Sequence, residues 1–486
     1  MTTIRSKLIT SVAWSLAGNW AIRGLGILKM VILARILSPN DFGVLGLALL
    51  AVNCLAVFSD INIHAALIQK RDIDRKDLDT AWTMSAARGV LLFGALFVSA
   101  GPLSEYFATP ELEAVLRVVA ACFILEGFTN IGVMFFARDV DFKHKVKLDV
   151  ASDLAGSISA VLLALILHDF WALVWATLIW KIVNFGLSFH WHAYRPKLRW
   201  NWKRSLPLLH FGKHVFWISV VTFVVTNGDD ALVGKLLGLG PLGYYALAYA
   251  IANLPVTSLC GTIGQISFPV YSHLQDDLKR VEESFQKILE AVLMFLLPLT
   301  ALIMMLAESF VVVFLGDRWA PMTGVLRILC LLGLFRGLSN VIAPVFLAVN
   351  RPEIQSRNKT VELVAFCLLI YPLTARWGLI GAGGAVAAVY LVGLIMNVYA
   401  LSGLLKGALK TIGFAARSPM AATGSMIVAG LLASFVASGL TPLQRFMISG
   451  AGAVAAFLSI ALWMNHGAVM NACRRLVPSK CEDSRA

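Results

Sequence analysis

Apolar runs of spanning length recur along this chain, separated by short polar stretches rich in Lys and Arg. A membrane-crossing helix needs about 20 predominantly apolar residues. The pattern predicts fourteen such helices, at 11–37, 42–68, 81–100, 112–137, 147–168, 170–193, 213–239, 241–272, 282–308, 322–349, 357–375, 378–405, 417–438 and 443–464. The longest of them imply tilt, a kink or extension beyond the bilayer. With the N-terminus inside, the outside loops hold Arg318, Arg376 and Arg445, while most of the 41 Lys and Arg residues fall in inside segments. That alternation is the positive-inside pattern. It predicts an even number of spans and both termini in the cytoplasm.

Composition agrees. Hydrophobic residues make up 58% of the chain and charged residues 14%, with mean hydropathy +0.78, against about 25% charged in soluble domains. The chain reads as an all-α polytopic membrane protein. Its net charge of +13 does not point to nucleic acid, because the cations sit between apolar segments. The first apolar run is too long for a signal-peptide core, so no cleaved leader is expected. The short outside loops leave no room for a separate domain. The longest inside linker, 194–212, carries Trp200 and Trp202 among basic residues and suits a helix lying in the interface.

The chain also repeats itself. ILARILSPNDFGVLGLA at 32–48 lines up with LVGKLLGLGPLGYYALA at 232–248, placing Arg35 on Lys235, Leu37 on Leu237, Gly43 on Gly243 and Leu47 on Leu247. Six predicted helices precede the linker and six follow it, an even number, so the two copies keep the same orientation. The expected architecture is two six-helix lobes, 1–206 and 207–410, related by a pseudo-two-fold axis along the membrane normal. Residues 411–486 add helices 13 and 14 and a cytoplasmic tail.

Charges inside the bilayer are costly and usually face a cavity or a partner. On helix 1, Ser15, Asn19, Arg23, Gly26 and Lys29 fall within an arc of about 120°, and on helix 7 Ser219, Thr222, Thr226, Asp229 and Asp230 occupy nearly the same arc. Such stripes line a cavity or serve helix packing, and Lys29 and Asp229, equivalent in the repeat, suit a pair. The intramembrane balance favours cations. Arg23, Lys29, Arg88, Lys181 and Arg336 are the candidate substrate-binding cations, because phosphate matches guanidinium and ammonium donors. Asp229, Asp230 and Glu126 are the candidate sites for a coupling proton or sodium ion, or simply cavity charges.

Enzyme and metal signals are poor. There is no Walker A or HExxH pattern, the nine histidines are scattered, and the seven cysteines have no metal spacing. No catalytic residue, metal site or cofactor is expected.

The segment ILARILSPNDFGVLGLALL resembles the opening hairpin of the polysaccharide transporter family. That family lies within the superfamily of multidrug, oligosaccharidyl-lipid and polysaccharide exporters. The second copy, DDALVGKLLGLGPLGYYALAYAIANLP, followed by Phe268-Pro269-Val270-Tyr271-Ser272 and Gln275-Asp276-Asp277, is similar to the matching stretch. The likeness is strongest to flippases of colanic acid, succinoglycan and O-antigen type. It implies the fold of that superfamily and alternating access. The implied cargo is an undecaprenyl-pyrophosphate-linked oligosaccharide, moved to the periplasmic leaflet for exopolysaccharide, capsule or O-antigen synthesis, with cavity cations on the pyrophosphate. It also implies membrane lipid as a partner, and polymerase and chain-length machinery beside it. The alternatives are an ion-coupled multidrug exporter, against which the cationic bias counts, and a membrane glycan polymerase or ligase, against which the short outside loops count.

Overall fold

A computed structural model describes residues 2–59, 67, 74–138, 142–275, 277–405, 407–437 and 439–464. The inside loop around Lys70 and the basic tail after Met464 lie outside these residues. Helices follow one another as α1 (Thr2–Ile36), α2 (Pro39–Phe58), α3 (Arg75–Phe107), α4 (Glu111–Phe128), α5 (Phe142–Leu167), α6 (Trp171–Trp191) and α7 (Trp202–Leu237). They continue as α8 (Leu239–His273), α9 (Leu278–Phe310), α10 (Thr323–Ala348), α11 (Pro352–Leu404), α12 (Ala408–Val436) and α13 (Pro442–Met464). No strand occurs among the described residues. Nine helices, among those residues, are long and apolar enough to cross a membrane, and the chain is an all-α, multi-pass membrane protein.

The repeated hairpin shows one break made by two chemistries. In the first copy Ser38 caps α2. Its backbone N–H donates to Asp41 Oδ2 at 2.7 Å, its hydroxyl accepts from the Asp41 N–H at 3.4 Å, and Pro39 takes the first turn, where its missing donor costs nothing. The equivalent position in the second copy is Gly238, at φ 90°, a left-handed conformation that glycine adopts without penalty. The two hairpins then meet reciprocally. A side chain at Gly43 would run into the Leu239 carbonyl, and one at Gly243 into the Pro39 carbonyl. Residue 43 meets 239 as 243 meets 39, so the contact itself has two-fold character.

The chain divides into two compact units. One comprises Met1–Leu247, Phe314–Trp319 and Phe366–Ala385, the other Ala248–Val313, Ala320–Ala365 and Val386–Ala486. Within the first, α1, α5 and α6 pack through Leu33, Leu37, Ala160, Ala164, Ala172 and Leu173. Also within it, fully buried Trp319 donates from Nε1 to the Ala34 carbonyl at 2.8 Å, and the rings of Phe42 and Tyr244 meet it edge-on. In the second unit the core gathers Tyr271, Phe285, Leu289, Leu296, Val345 and Phe346.

The predicted runs 357–375 and 378–405 are two helices joined across a kink at Gly378, their hydrogen bonding continuous through it, and together they make up the 53-residue α11. At 1.5 Å per residue it would be about 80 Å long if straight, far beyond a bilayer. Gly378, at φ 58° and ψ −135°, breaks its course, and Gly381 comes back against the Leu373 carbonyl. The run 112–137 is interrupted after Phe128 by Thr129–Asn130 and a 3-10 turn, Ile131–Val133. Asn130 supplies the substitute hydrogen bonds: its Oδ1 accepts from Gly132 N at 2.9 Å, its Nδ2 donates to the Tyr194 carbonyl at 2.8 Å, and its N–H to Ser188 Oγ at 3.1 Å.

The linker also departs from what its sequence predicts. Residues 192–201 are not helical, and helix resumes only at Trp202, running straight on as α7. The reason is Asp79, 1% exposed, which accepts from the Tyr194 hydroxyl at 2.6 Å and from Lys197 N at 3.2 Å. With Arg199 N donating to Thr83 Oγ1 at 3.0 Å, the strap's backbone finds partners on α3 instead of on itself. Burial and the Asp79 carboxylate push the Tyr194 phenol above its ordinary range, so it stays a donor. Tyr194→Phe strands one side of a buried carboxylate and is expected to cost about 1–3 kcal/mol. Thermal unfolding of the detergent-solubilised protein reads this; an unchanged midpoint would mean that Asp79 is satisfied without the phenol.

Candidate functional site

A cavity of about 480 Å³ opens within the first unit, walled by the end of α2, by α3 and α4, by the Thr129–Asn130 break, and by α5 and α6. Three cations line it: Arg88, Lys145 and Lys181. The acid among the described lining residues is Glu126.

Each cation is held differently. Arg88 on α3 donates from Nη2 to the Ala56 carbonyl at 2.9 Å and from Nε to Ser59 Oγ at 3.0 Å. These acceptors belong to the last turn of α2 and its cap, where unpaired carbonyls and the helix dipole favour a cation. The two bonds use two of the five N–H groups a guanidinium carries. Lys181 on α6 reaches across to Glu126 on α4, Nζ to Oε2 at 2.6 Å, with side chains 24% and 53% exposed. The Lys181 ammonium also stands 5.3 Å from the centre of the neighbouring Trp180 ring. Lys145 pairs with Asp149 one turn on along α5, at 3.2 Å. Asn184 Nδ2 donates to Ser152 Oγ at 3.3 Å and ties α6 to α5 beside the cavity.

Three candidates from the sequence, Arg88, Lys181 and Glu126, are thus brought together. The others are not. Lys29 on α1 lines a second, mostly apolar space of about 350 Å³ with Asp153 of α5, and Trp180 borders both spaces. Arg23, half-buried on α1, lines neither. Asp229 on α7 is 1% exposed and accepts from the Tyr245 hydroxyl of α8 at 2.6 Å; Asp230 follows it, half-buried. Lys29 and Asp229, equivalent by repeat, therefore have different surroundings.

Arg336 belongs to the second unit. Its Nη1 donates to the Tyr249 hydroxyl at 3.0 Å, and its guanidinium carbon lies 5.9 Å from the Tyr390 ring centre. The same ring takes Lys359 at 5.7 Å, and Lys359 pairs at 2.6 Å with Glu362, which is 1% exposed. The sequence reading missed Lys145, Lys359 and Tyr390. Lys145 precedes the predicted helix 147–168, and Lys359 stands at the very start of 357–375. The signal that could have found them is an acid one turn on, Asp149 and Glu362, which places each pair on a helix face.

The family model described as "Polysaccharide biosynthesis protein" matches residues 32–324. The lipopolysaccharide biosynthesis protein WzxC of Escherichia coli (strain K12) is 25% identical over 405 residues, covering 82% of each chain. The succinoglycan biosynthesis transport protein ExoT of Rhizobium meliloti (strain 1021) is 25% identical over 330 residues, 68% of this chain and 67% of that one. Among solved structures, the lipid II flippase MurJ in an inward closed conformation superposes with a TM-score of 0.76 at 15% identity, over 94% of this chain and 100% of the other. That likeness shows a shared fold.

Proposed function

The chain belongs to the polysaccharide biosynthesis protein family, and we propose that it is a flippase for polyprenyl-pyrophosphate-linked oligosaccharides, a transporter and not a catalyst. The observation that carries this is a cavity within a multi-pass helical fold whose described lining holds three cations and one carboxylate. Relatives named for lipopolysaccharide and succinoglycan biosynthesis support it. A pyrophosphate is a compact dianion or trianion whose oxygens take charge-assisted bonds from Arg and Lys. A space of about 480 Å³ is in the range of small-ligand sites. It suits a phosphate headgroup with part of a sugar and leaves the polyprenyl tail to the lipid.

In this reading the substrate's phosphates lie against Arg88, Lys181 and Lys145, while Arg23, Lys29 and Arg336 serve other stages of passage. Two lobes, 1–206 and 207–410, alternate access, with 411–486 as an appendix. The protein spans the bacterial inner membrane with both termini in the cytoplasm and hands its cargo to polymerase and chain-length machinery. A proton or sodium ion at Asp229 or Asp230 supplies the driving force.

The test is reconstitution. Protein in liposomes is expected to move a fluorescent lipid-linked oligosaccharide between leaflets, and a deletion strain to lose polymer while keeping its drug susceptibility. Chemical alteration of the lipid-linked sugar without movement would replace this reading with an enzymatic one. Arg23→Ala is expected to lower polymer output severalfold at unchanged membrane level; normal output removes Arg23 from the path.

A further inference from the structure

Anions entering the 480 Å³ cavity do not meet bare cations. Arg88 is bonded to neutral acceptors, the Ala56 carbonyl and the Ser59 hydroxyl, and keeps its charge and its remaining N–H groups for a ligand. Lys145 and Asp149 are neighbours on one helix, both more than a third exposed, so solvent screens their attraction. Lys181 is different. Its side chain is 24% exposed, and its partner Glu126 comes from another helix, 2.6 Å away, inside the cavity lining. Glu126 is itself 53% exposed, so it can swing away from the pair without being dragged through packed side chains.

We infer that Glu126 is an internal counter-ion that competes with the substrate's phosphate for Lys181, so that it weakens binding and speeds release. It has this role only if the cavity takes the phosphate, as proposed above. The chemistry is one of exchange. A phosphate oxygen replaces Oε2 on the Lys181 ammonium, and Glu126 turns to water. When the cargo leaves, the carboxylate returns to Lys181 and offsets its charge. A transporter must let go as well as hold, and a cavity of unopposed cations would retain a multiply charged anion. The exchanged pair also crosses from α4 to α6, so occupancy changes what ties these two helices together.

The experiment is binding of inorganic pyrophosphate to the full-length protein in nanodiscs, by calorimetry at fixed ionic strength. Glu126→Gln keeps the shape and removes the competing charge. It is expected to bind pyrophosphate about tenfold more tightly than the unaltered protein, with slower dissociation. A merely structural role for the pair cannot give tighter binding. Lys181→Gln and Arg88→Gln are expected to weaken it. If Glu126→Gln binds no more tightly while Lys181→Gln weakens binding, the competitor role is overturned and the assignment of the cavity stands. If neither Lys181→Gln nor Arg88→Gln changes pyrophosphate affinity, the cavity is not the phosphate site, and the role of Glu126 falls with it.

Discussion

Gly243→Val is expected to abolish folded protein in the membrane. A Cβ at residue 243 would overlap the Pro39 carbonyl and crowd its Cα, so the obstacle is backbone. A flexible side chain could rotate away; the first turn of α2, fixed by its capping box, cannot. Overpacking where neighbours can adjust costs about 1–3 kcal/mol, and this site has less freedom to adjust. Against a total stability of about 5–15 kcal/mol, the loss is severe. Gly43→Val meets the Leu239 carbonyl in the same way and should fail alike. Gly46→Ala is the control: it stands one turn further along α2, and its nearest neighbour would be a Leu242 methyl at an ordinary 3.7 Å. Fluorescence-detected size exclusion of solubilised membranes reads all three. A monodisperse Gly243→Val peak at the level of the Gly46→Ala protein would show that the hairpins can separate without loss of fold.

The repeat that revealed this contact was legible because apolar spacing survives divergence. Gly43 and Gly243 stood in register in the sequence, yet nothing there said that each abuts the other copy. The break between the hairpin helices was legible as well, although Ser38 with Asp41 makes it once and Gly238 makes it again. The interruption at Thr129–Asn130 was not. The run 112–137 is predominantly apolar on both sides of the break, and the partners that replace helical bonds there, Ser188 and Tyr194, lie far along the chain. The strap failed for the same reason, since its extended backbone depends on Asp79, over a hundred residues earlier.

The candidate site was half legible. Hydropathy placed Arg88, Lys181 and Glu126 inside predicted spans as candidate cavity charges, and the structure gathers all three around one cavity. Helical angles gave the face of the charges on helices 1 and 7, but not the helix each meets. Lys29 shows the limit. Its stripe is polar, and the side it faces holds Asp153 and the apolar residues of a separate space. Lys145 shows the opposite failure. It was assigned to a loop because the apolar run begins at Lys147, whereas α5 starts at Phe142.

Arg88→Gln is expected to reduce flipping of lipid-linked oligosaccharide by at least about tenfold in liposomes, with membrane levels unchanged. Arg88 is held before any substrate arrives, by bonds of 2.9 and 3.0 Å to the last turn of α2 and its cap. That fixes the guanidinium plane, so little rotamer entropy remains to be lost on binding. Hydrogen bonds to a charged group contribute about 1.5–3 kcal/mol, a factor of ten to over a hundred in affinity. Glutamine can keep a bond to the Ala56 carbonyl and so hold α3 against α2, but it brings no charge to the cavity. Arg88→Lys separates charge from geometry: it restores the charge as a point, without the fork, and should recover only part of the rate. Full recovery with Lys would mean that the cavity acts as a diffuse electrostatic sink. Unimpaired flipping by Arg88→Gln would remove Arg88 from the substrate's path. Lys181 and Lys145 would then carry the anion, and the bonds of Arg88 to α2 would be structural.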